Sequence, residues 1–185
     1  MTTRDIAAEM VQWGLVCIAT NYTHAGGVPL GAPGSAAEQG ASEANVQRAH
    51  AVHEILRGLG YVDIGRLAAH GHSAGAFVTT ALVAAYPNDF RAASHTAGGV
   101  RPDNVSNAAP GESQARAIRT PYQMHHGELD PLIPFSSDQR LSGILQSDGV
   151  ATEVYVYSGF EHNDVSRDPT MFARVRAWYA RYGVF

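Results

Sequence analysis

Ser73 lies at the centre of the pentapeptide Gly71–Gly75, which follows a strand-like segment and opens a helix-like one. A serine on such a tight strand-to-helix turn has a strained backbone, and small flanking residues let the strand and the helix approach each other. The turn presents the hydroxyl at the carboxyl end of the strand. The pattern therefore predicts a nucleophilic serine, and the alternative role for Ser73 is a cap on the following helix.

A serine nucleophile needs a base, and the base needs an acid that orients it. Asp130 ends the segment His126–Asp130, which follows one predicted strand, and His162 lies in Gly159–Asn163, which follows the last one. Because the carboxyl ends of parallel strands meet at one edge of a sheet, we expect these side chains to converge in one crevice. Ser73 would attack, His162 would take and return its proton, and Asp130 would orient the imidazole.

Other carboxylates near this set leave alternatives open. Asp130 could instead cap the turn with the proline that follows it, and Glu128 would then be the reserve acid. Glu161 and Asp164 flank His162 and could compete as its partner. Neighbours in sequence rarely aim at the same ring nitrogen, so we expect both to be solvated and take Asp130 as the acid.

The elements that must position these residues alternate between helix and strand patterns, as in an α/β protein with a parallel sheet. We predict one three-layer α/β/α domain over residues 1–185, with a mostly parallel sheet of about five strands. The predicted strands cover 15–20, 66–71, 91–97, 122–126 and 152–157. The predicted helices cover 3–12, 43–59, 74–86, 112–117 and 135–147, and a last helix is capped by Asp168 and opened by Pro169. One face of this last helix carries the core residues Phe172, Val175, Tyr179 and Tyr182.

The composition excludes several classes of function. Thirteen Lys and Arg residues against 17 Asp and Glu give a net charge of -4, which lacks the positive surface that nucleic acids require. No apolar run approaches the roughly 18 residues of a membrane span, and the first residues contain no signal-peptide stretch. We therefore expect a cytoplasmic protein without nucleic-acid or membrane partners. The single cysteine, Cys17, lies in an apolar run and is expected to be a buried, inert thiol.

Nine histidines raise the question of a metal site. Those close in sequence are His50 with His53, His70 with His72, and His125 with His126. None of these pairs belongs to a recognised zinc motif, so we expect neither a metal nor a cofactor. His72 is a candidate for contact with substrate, or it and His126 satisfy buried hydrogen bonds.

Over essentially its whole length the sequence resembles the α/β-hydrolase superfamily. The segments 71–90 and 126–130 are similar to those of small carboxylesterases of the dienelactone-hydrolase-like and polyhydroxybutyrate-depolymerase-like groups. The resemblance implies the same nucleophile, acid and base as the spacing does. It adds the backbone N–H of Ala74, the residue after the nucleophile, as a donor to the oxyanion.

The resemblance also implies that elements of the superfamily are missing, which would make this a truncated α/β-hydrolase fold. In the superfamily a strand precedes the first helix, and the loop after that strand supplies a second oxyanion N–H. The strand would lie between the predicted strands 15–20 and 66–71, so its place is filled by direct pairing of those two, by a partner chain or by unusual structure. An exposed sheet edge would permit a homodimer. The substitute oxyanion donor would be Tyr22 or the loop His24–Gly27, unless that segment is only a flexible surface loop.

We therefore expect a serine esterase that hydrolyses short-chain carboxylic esters through an acyl-enzyme. The chain has 185 residues, which leave no room for a separate lid domain. Lactones, thioesters, feruloyl esters and peptides are alternative substrates for the same fold. An alternative of another class is a non-catalytic binding module, a shortened hydrolase that has lost its oxyanion site.

Overall fold

The computed structural model describes residues 3–20 and 40–185. These ranges contain four β-strands and six α-helices, with short 3-10 turns at Ile64–Arg66 and Val165–Arg167. The strands are β1 (Ala68–His72), β2 (Ala92–Thr96), β3 (Tyr122–Gly127) and β4 (Thr152–Tyr157). The helices are α1 (Thr3–Val11), α2 (Glu43–Arg57), α3 (Ala74–Ala85), α4 (Glu112–Ala115), α5 (Ser136–Ser147) and α6 (Pro169–Arg181). None of these helices is long and apolar enough to cross a membrane.

The four strands form one parallel sheet in the order β1-β2-β3-β4. Every residue of β2 and β3 is buried, as expected for central strands that helices cover on both faces. Since all strands run in the same direction, the loops after β1, β3 and β4 leave the sheet at one edge. This arrangement confirms the predicted α/β class and brings the three candidate loops to the same side of the molecule.

Two apolar clusters fill the two faces of the sheet and complete three layers. One cluster joins the sheet to α3 and α5, with Val83, Met124 and Leu141 fully or almost fully buried. The other joins it to α1 and α6 through Met10, Val175 and other residues. The predicted stripe on α6 is confirmed, because Phe172, Val175 and Tyr179 are buried and Tyr182 packs against them.

The prediction of a strand at 15–20 is wrong, because these residues form no strand. A strand depends on the hydrogen-bonded ladder with a neighbour, and local propensity does not replace that neighbour. Among residues 3–20 and 40–185, no strand pairs with β1 on the side away from β2, so direct pairing of 15–20 with β1 does not occur. The segment instead packs Leu15 and Cys17 against the cluster under α6. Cys17 is half-buried rather than buried, and burial raises the pKa of its thiol.

The start of α6 follows the sequence prediction closely. The Asp168 carboxylate accepts hydrogen bonds from the backbone N–H groups of Thr170 and Met171, at 2.7 and 3.0 Å. Pro169 occupies the first turn, where its missing N–H has no intrahelical role. The Asp168 cap thereby fixes the start of α6, and His162 lies in the connection between β4 and α6.

Candidate active site

Ser73 lies on the turn between β1 and α3 with φ 55° and ψ -122°. A positive φ is rare for a residue with a side chain, so the surrounding structure must hold it. The Ser73 N–H donates to the carbonyl oxygen of Thr96 at 3.0 Å, which ties the turn to β2. The side chain makes no capping hydrogen bond to α3, so the cap role is wrong and the hydroxyl is free for another partner.

Gly71 makes this turn possible. A Cβ atom at Gly71 would lie 2.2 Å from the carbonyl oxygen of Gly75 and 2.6 Å from the Thr79 hydroxyl. These distances are far below van der Waals contact, so only glycine lets the end of β1 approach the first turn of α3. The strand and the helix therefore hold the Ser73 backbone in its strained conformation from both sides.

The structure brings Ser73, His162 and Asp130 into one hydrogen-bonded chain. His162 Nε2 lies 2.9 Å from Ser73 Oγ, and His162 Nδ1 lies 2.8 Å from Asp130 Oδ2. Because an ionised carboxylate only accepts hydrogen bonds, Nδ1 carries the proton and Nε2 accepts the hydroxyl of Ser73. This tautomer is the one in which the imidazole can remove the serine proton.

Asp130 uses its two oxygens for two different purposes. Oδ1 accepts the backbone N–H groups of Leu132 and Ile133, at 2.8 and 2.9 Å, while Oδ2 accepts His162. The turn-capping role and the orienting role are therefore both present. Burial alone raises the pKa of Asp130, but the hydrogen bonds from Ile133, His162 and Leu132 outweigh it and lower the pKa. Asp130 is thus held as a carboxylate.

The other carboxylates that could have oriented His162 form hydrogen bonds to different loop residues. Glu128 accepts hydrogen bonds from the Ser158 hydroxyl at 2.6 Å and the Gly159 N–H at 3.0 Å. These two bonds lower the pKa of Glu128 and tie the loops after β3 and β4 together. Asp164 accepts the backbone N–H of Glu161 at 2.8 Å. Asp130, rather than any of these residues, is the carboxylate bonded to His162.

His72 lies beside His162, with the two ring centroids 5.0 Å apart. Its Nδ1 is 2.7 Å from the Thr96 hydroxyl, and its Nε2 is 3.1 Å from the Asn163 side-chain oxygen. Burial, followed by the nearby charge of His162, lowers the pKa of His72 to about 4 despite the bond to Asn163. His72 is therefore a neutral ring that braces the residue after His162. The sequence pointed to His72 but gave no signal for Asn163.

The backbone N–H of Ala74 is the first of α3, and the first N–H groups of a helix have no acceptor within the helix. It follows Ser73 directly, which leaves it available to a developing negative charge beside the Ser73 hydroxyl. The predicted second donor, Tyr22 or the loop His24–Gly27, lies outside the described residues. That prediction remains untested.

A buried cluster next to Asp130, formed by Asp138 and two histidines, was not predicted from the sequence. Asp138, on the first turn of α5, is fully buried and accepts His95 Nε2 and His126 Nδ1, both at 2.7 Å. Burial alone raises the pKa of Asp138, but the charges and hydrogen bonds of the two histidines outweigh burial and lower the pKa to about 2. The sequence shows Asp138 only as an acidic residue in a helical first turn, where such residues are common. The expectation that His126 satisfies buried hydrogen bonds is confirmed.

One histidine pair from the sequence analysis meets a carboxylate. His50, His53 and Asp89 offer ligand-type atoms that all lie within 4.8 Å of one another. His50 Nε2 bonds to Asp89 at 3.0 Å, and its ring stacks on Tyr86 with centroids 3.5 Å apart. Arg57 Nη2 lies 3.5 Å from His53 Nδ1, so a cation already faces this group. The absence of a metal stays a prediction.

Two histidines in the sheet predict a pH-dependent stability: His125 is buried, and His70 is partly buried with its Nε2 shielded from solvent. Burial, and after it the charges of neighbouring histidines, lowers the pKa of His70 to about 3 and that of His125 well below its ordinary value. A histidine that must stay neutral in the folded state loses its stabilising contribution as pH falls below its unfolded pKa. At about pH 5 the His70 contribution alone lowers the free energy of unfolding by about 2 kcal/mol.

Urea unfolding at neutral pH and at about pH 5 measures this effect, since carboxylates with lowered pKa values titrate only at lower pH. We expect a clear fall in the unfolding midpoint. Equal midpoints at the two pH values would contradict the assignment of neutral rings at His70 and His125.

Solved structures of other proteins share the fold of this chain. A Klebsiella pneumoniae protein described as a dienelactone hydrolase is 20% identical with a TM-score of 0.64, over 74% of this chain and 60% of the other. A puromycin-hydrolyzing peptidase from Mycobacterium tuberculosis is 21% identical with a TM-score of 0.64, over 78% of this chain and 26% of the other. An S-formylglutathione hydrolase from Agrobacterium tumefaciens is 14% identical with a TM-score of 0.60, over 72% of this chain and 55% of the other.

In each of these comparisons the chain spans less than two thirds of the length of the other protein. No curated protein sequence matches it. The sequence pattern that defines the dienelactone hydrolases matches residues 2–182, which is nearly the whole chain. With its parallel sheet, its helices on both faces and this match, the chain belongs to the dienelactone hydrolase family.

Proposed function

We propose that the protein is a serine esterase that hydrolyses short-chain carboxylic esters through an acyl-enzyme. The observation that carries this proposal is the His162 ring, bonded to Ser73 Oγ at 2.9 Å on one side and to Asp130 Oδ2 at 2.8 Å on the other. This arrangement is the one that activates a serine hydroxyl. Membership of the dienelactone hydrolase family supports hydrolysis as the reaction class.

In the first half of the reaction, Ser73 Oγ attacks the carbonyl carbon of the ester while His162 Nε2 takes the hydroxyl proton. The carbonyl oxygen becomes an oxyanion, which the N–H of Ala74 stabilises, and Asp130 stabilises the imidazolium. The bond to the alcohol oxygen then breaks, and His162 returns the proton to the departing alcohol. The products are the free alcohol and an acyl ester on Ser73.

In the second half, a water molecule attacks the acyl carbon while His162 again takes the proton. The tetrahedral intermediate collapses, the bond to Ser73 Oγ breaks, and His162 returns the proton to the serine. The acid is released and the free hydroxyl is restored. The same three side chains therefore serve both steps without a cofactor.

Esters are favoured over amides by the ease with which the leaving group departs. Ala74 supplies one oxyanion donor from the described residues, and the predicted second donor lies outside them. An alkoxide leaves more easily than an amine, so ester cleavage tolerates a weaker oxyanion site. The proposal therefore puts carboxylic esters ahead of peptides.

A substrate panel tests this proposal. We expect 4-nitrophenyl acetate and butyrate to be hydrolysed fastest, the decanoate ester more slowly, and the matching 4-nitroanilide of butyrate at least about 10²-fold more slowly than the ester. Comparable cleavage of the anilide would favour a peptidase. A folded protein that cleaves none of these compounds would favour a binding module.

A further inference from the structure

A buried group of charged side chains lies next to Asp130. Asp138 on α5 accepts His126 Nδ1 at 2.7 Å, and His126 Nε2 bonds to the carbonyl oxygen of Ile133 at 2.9 Å. His126 Nε2 also lies 3.6 Å from Asp130 Oδ2, the oxygen that accepts His162. His126 and Asp138 are fully shielded from solvent, so water does not complete or compete with these bonds.

The hydrogen-bond partners of His126 determine its protonation. The carboxylate of Asp138 and the carbonyl of Ile133 only accept hydrogen bonds, so each can bond to a ring nitrogen only if that nitrogen carries a proton. A neutral imidazole has one N–H, which would leave one buried pair of acceptor atoms facing each other. An imidazolium has two and satisfies both partners.

We propose that His126 is a permanently protonated positioning residue, which holds the Asp130 loop through the Ile133 carbonyl and keeps the Asp130 carboxylate charged beside His162. Its kinetic consequence rests on the proposed function, whereas its protonation does not. Ile133 connects the two roles, because its carbonyl accepts His126 while its N–H donates to Asp130 at 2.9 Å. The His126 ring therefore fixes the turn from which Asp130 reaches His162.

The ionisable groups around the ring agree with this assignment. Asp138 faces it from α5 and Asp130 from the loop after β3, while His95 on β2 reaches it through Asp138 and His162 through Asp130. Both carboxylates that face the ring directly are negative, and the Phe135 ring packs against it in an edge-to-face arrangement with centroids 5.5 Å apart. Burial lowers the pKa of His126, but the bond and charge of Asp138, the Ile133 carbonyl and Asp130 outweigh it and raise the pKa.

A cation at His126 has a predictable effect on the reaction. The positive charge close to Asp130 offsets part of the negative charge that favours protonation of His162. Removing the charge of His126 should move the acid limb of the kcat/KM profile to higher pH.

The protonation is tested directly by the 15N chemical shifts of the His126 ring in the wild-type protein near neutral pH, assigned by comparison with His126→Gln. We expect both nitrogens to have the shifts of protonated imidazole nitrogens. One protonated and one unprotonated nitrogen would overturn the proposal. This measurement needs no enzymatic activity, so it distinguishes failure of this inference from failure of the proposed function.

The kinetic effect is tested by the sign of the shift in Asp138→Asn. If His126 is an imidazolium, removing the Asp138 carboxylate lets the His126 ring lose its proton. His162 then loses the nearby positive charge of His126 as well as the more distant negative charge of Asp138. The acid limb then moves to higher pH, by an amount on the order of half a unit, as it does in His126→Gln. If His126 were neutral, only the negative charge would disappear, and the limb would move to lower pH.

His95→Gln is the matched control, because His95 bonds to the same carboxylate through Nε2 while its Nδ1 bonds to the Tyr122 hydroxyl rather than to the Asp130 loop. We expect it to lower thermal stability while the acid limb stays in place. An equal shift in His95→Gln and His126→Gln would overturn the proposal, since it would show a general loss of packing. If the variants fail to fold, through-bond correlation of the His126 ring with its own backbone resonances assigns the 15N shifts in the wild-type protein, and these shifts still decide the question.

Discussion

Replacing Ser73 with alanine should lower kcat/KM for a short-chain ester by roughly 10⁴- to 10⁶-fold, because the substitution removes the only atom that forms the acyl-enzyme in the proposed reaction. His162 and Asp130 remain in place but have no hydroxyl to activate. The Ala74 N–H can still polarise a bound carbonyl, which accounts for a small residual rate. Steady-state hydrolysis of 4-nitrophenyl butyrate by the purified variants gives the ratio directly.

The non-additivity of the substitutions is as informative as their size. His162→Ala should cost about as much as Ser73→Ala, and the double variant should cost little more, since the residues act as one unit. Ser147→Ala is the control, because Ser147 is an exposed serine at the far end of α5 whose hydroxyl bonds to Ile144. An active Ser73→Ala protein, or losses that multiply in the double variant, would contradict the assignment.

Gly71→Ala should have the largest effect on folding. The new Cβ would lie 2.2 Å from a backbone oxygen of α3, which cannot move aside without displacing the helix that carries Ala74. We expect the free energy of unfolding to fall by about 3 kcal/mol or more. The kcat/KM of the folded variant should also fall, because any shift that relieves the overlap moves Ser73 away from His162.

Gly75→Ala is a matched control at the other end of the same pentapeptide. A Cβ at Gly75 would have no heavy atom within 4 Å apart from its own stretch of helix backbone, and this residue lies within α3. Alanine is favoured over glycine in helices, so the free energy of unfolding should stay within about 1 kcal/mol of the wild type or rise. Chemical denaturation of both variants measures the difference. Equal destabilisation would show that the close approach at Gly71 is not what holds the turn.

The sequence was sufficient to predict the helices and strands that depend on local residue patterns. Helical periodicity located α6, the caps Asp168 and Pro169 located its start, and strand patterns located β1 to β4 within a few residues. Ser73, Asp130 and His162 could be selected because each follows a predicted strand, and parallel strands place such residues at one edge. The structure brings the three side chains within hydrogen-bonding distance of one another.

Features that depend on distant partners could not be predicted. Residues 15–20 have a strand-like pattern but no strand to pair with in the described ranges, so they remain irregular. The role of Asp138 depends on α5 packing over β2 and β3, which places its carboxylate between His95 and His126. The two roles of Asp130 looked like alternatives in the sequence, because only the structure shows that each carboxylate oxygen has its own partners.

Ser73 is an activated nucleophile in the proposed mechanism, and covalent labelling by a fluorophosphonate is a direct test of that activation. The serine hydroxyl displaces fluoride from phosphorus, and His162 takes the proton, so the probe reports on activation without requiring the right substrate. We expect one adduct per chain in the intact mass, located by peptide mapping at Ser73 and absent from Ser73→Ala and His162→Ala. A folded wild-type protein that forms no adduct, or an adduct at Ser73 that forms equally fast in His162→Ala, would contradict it.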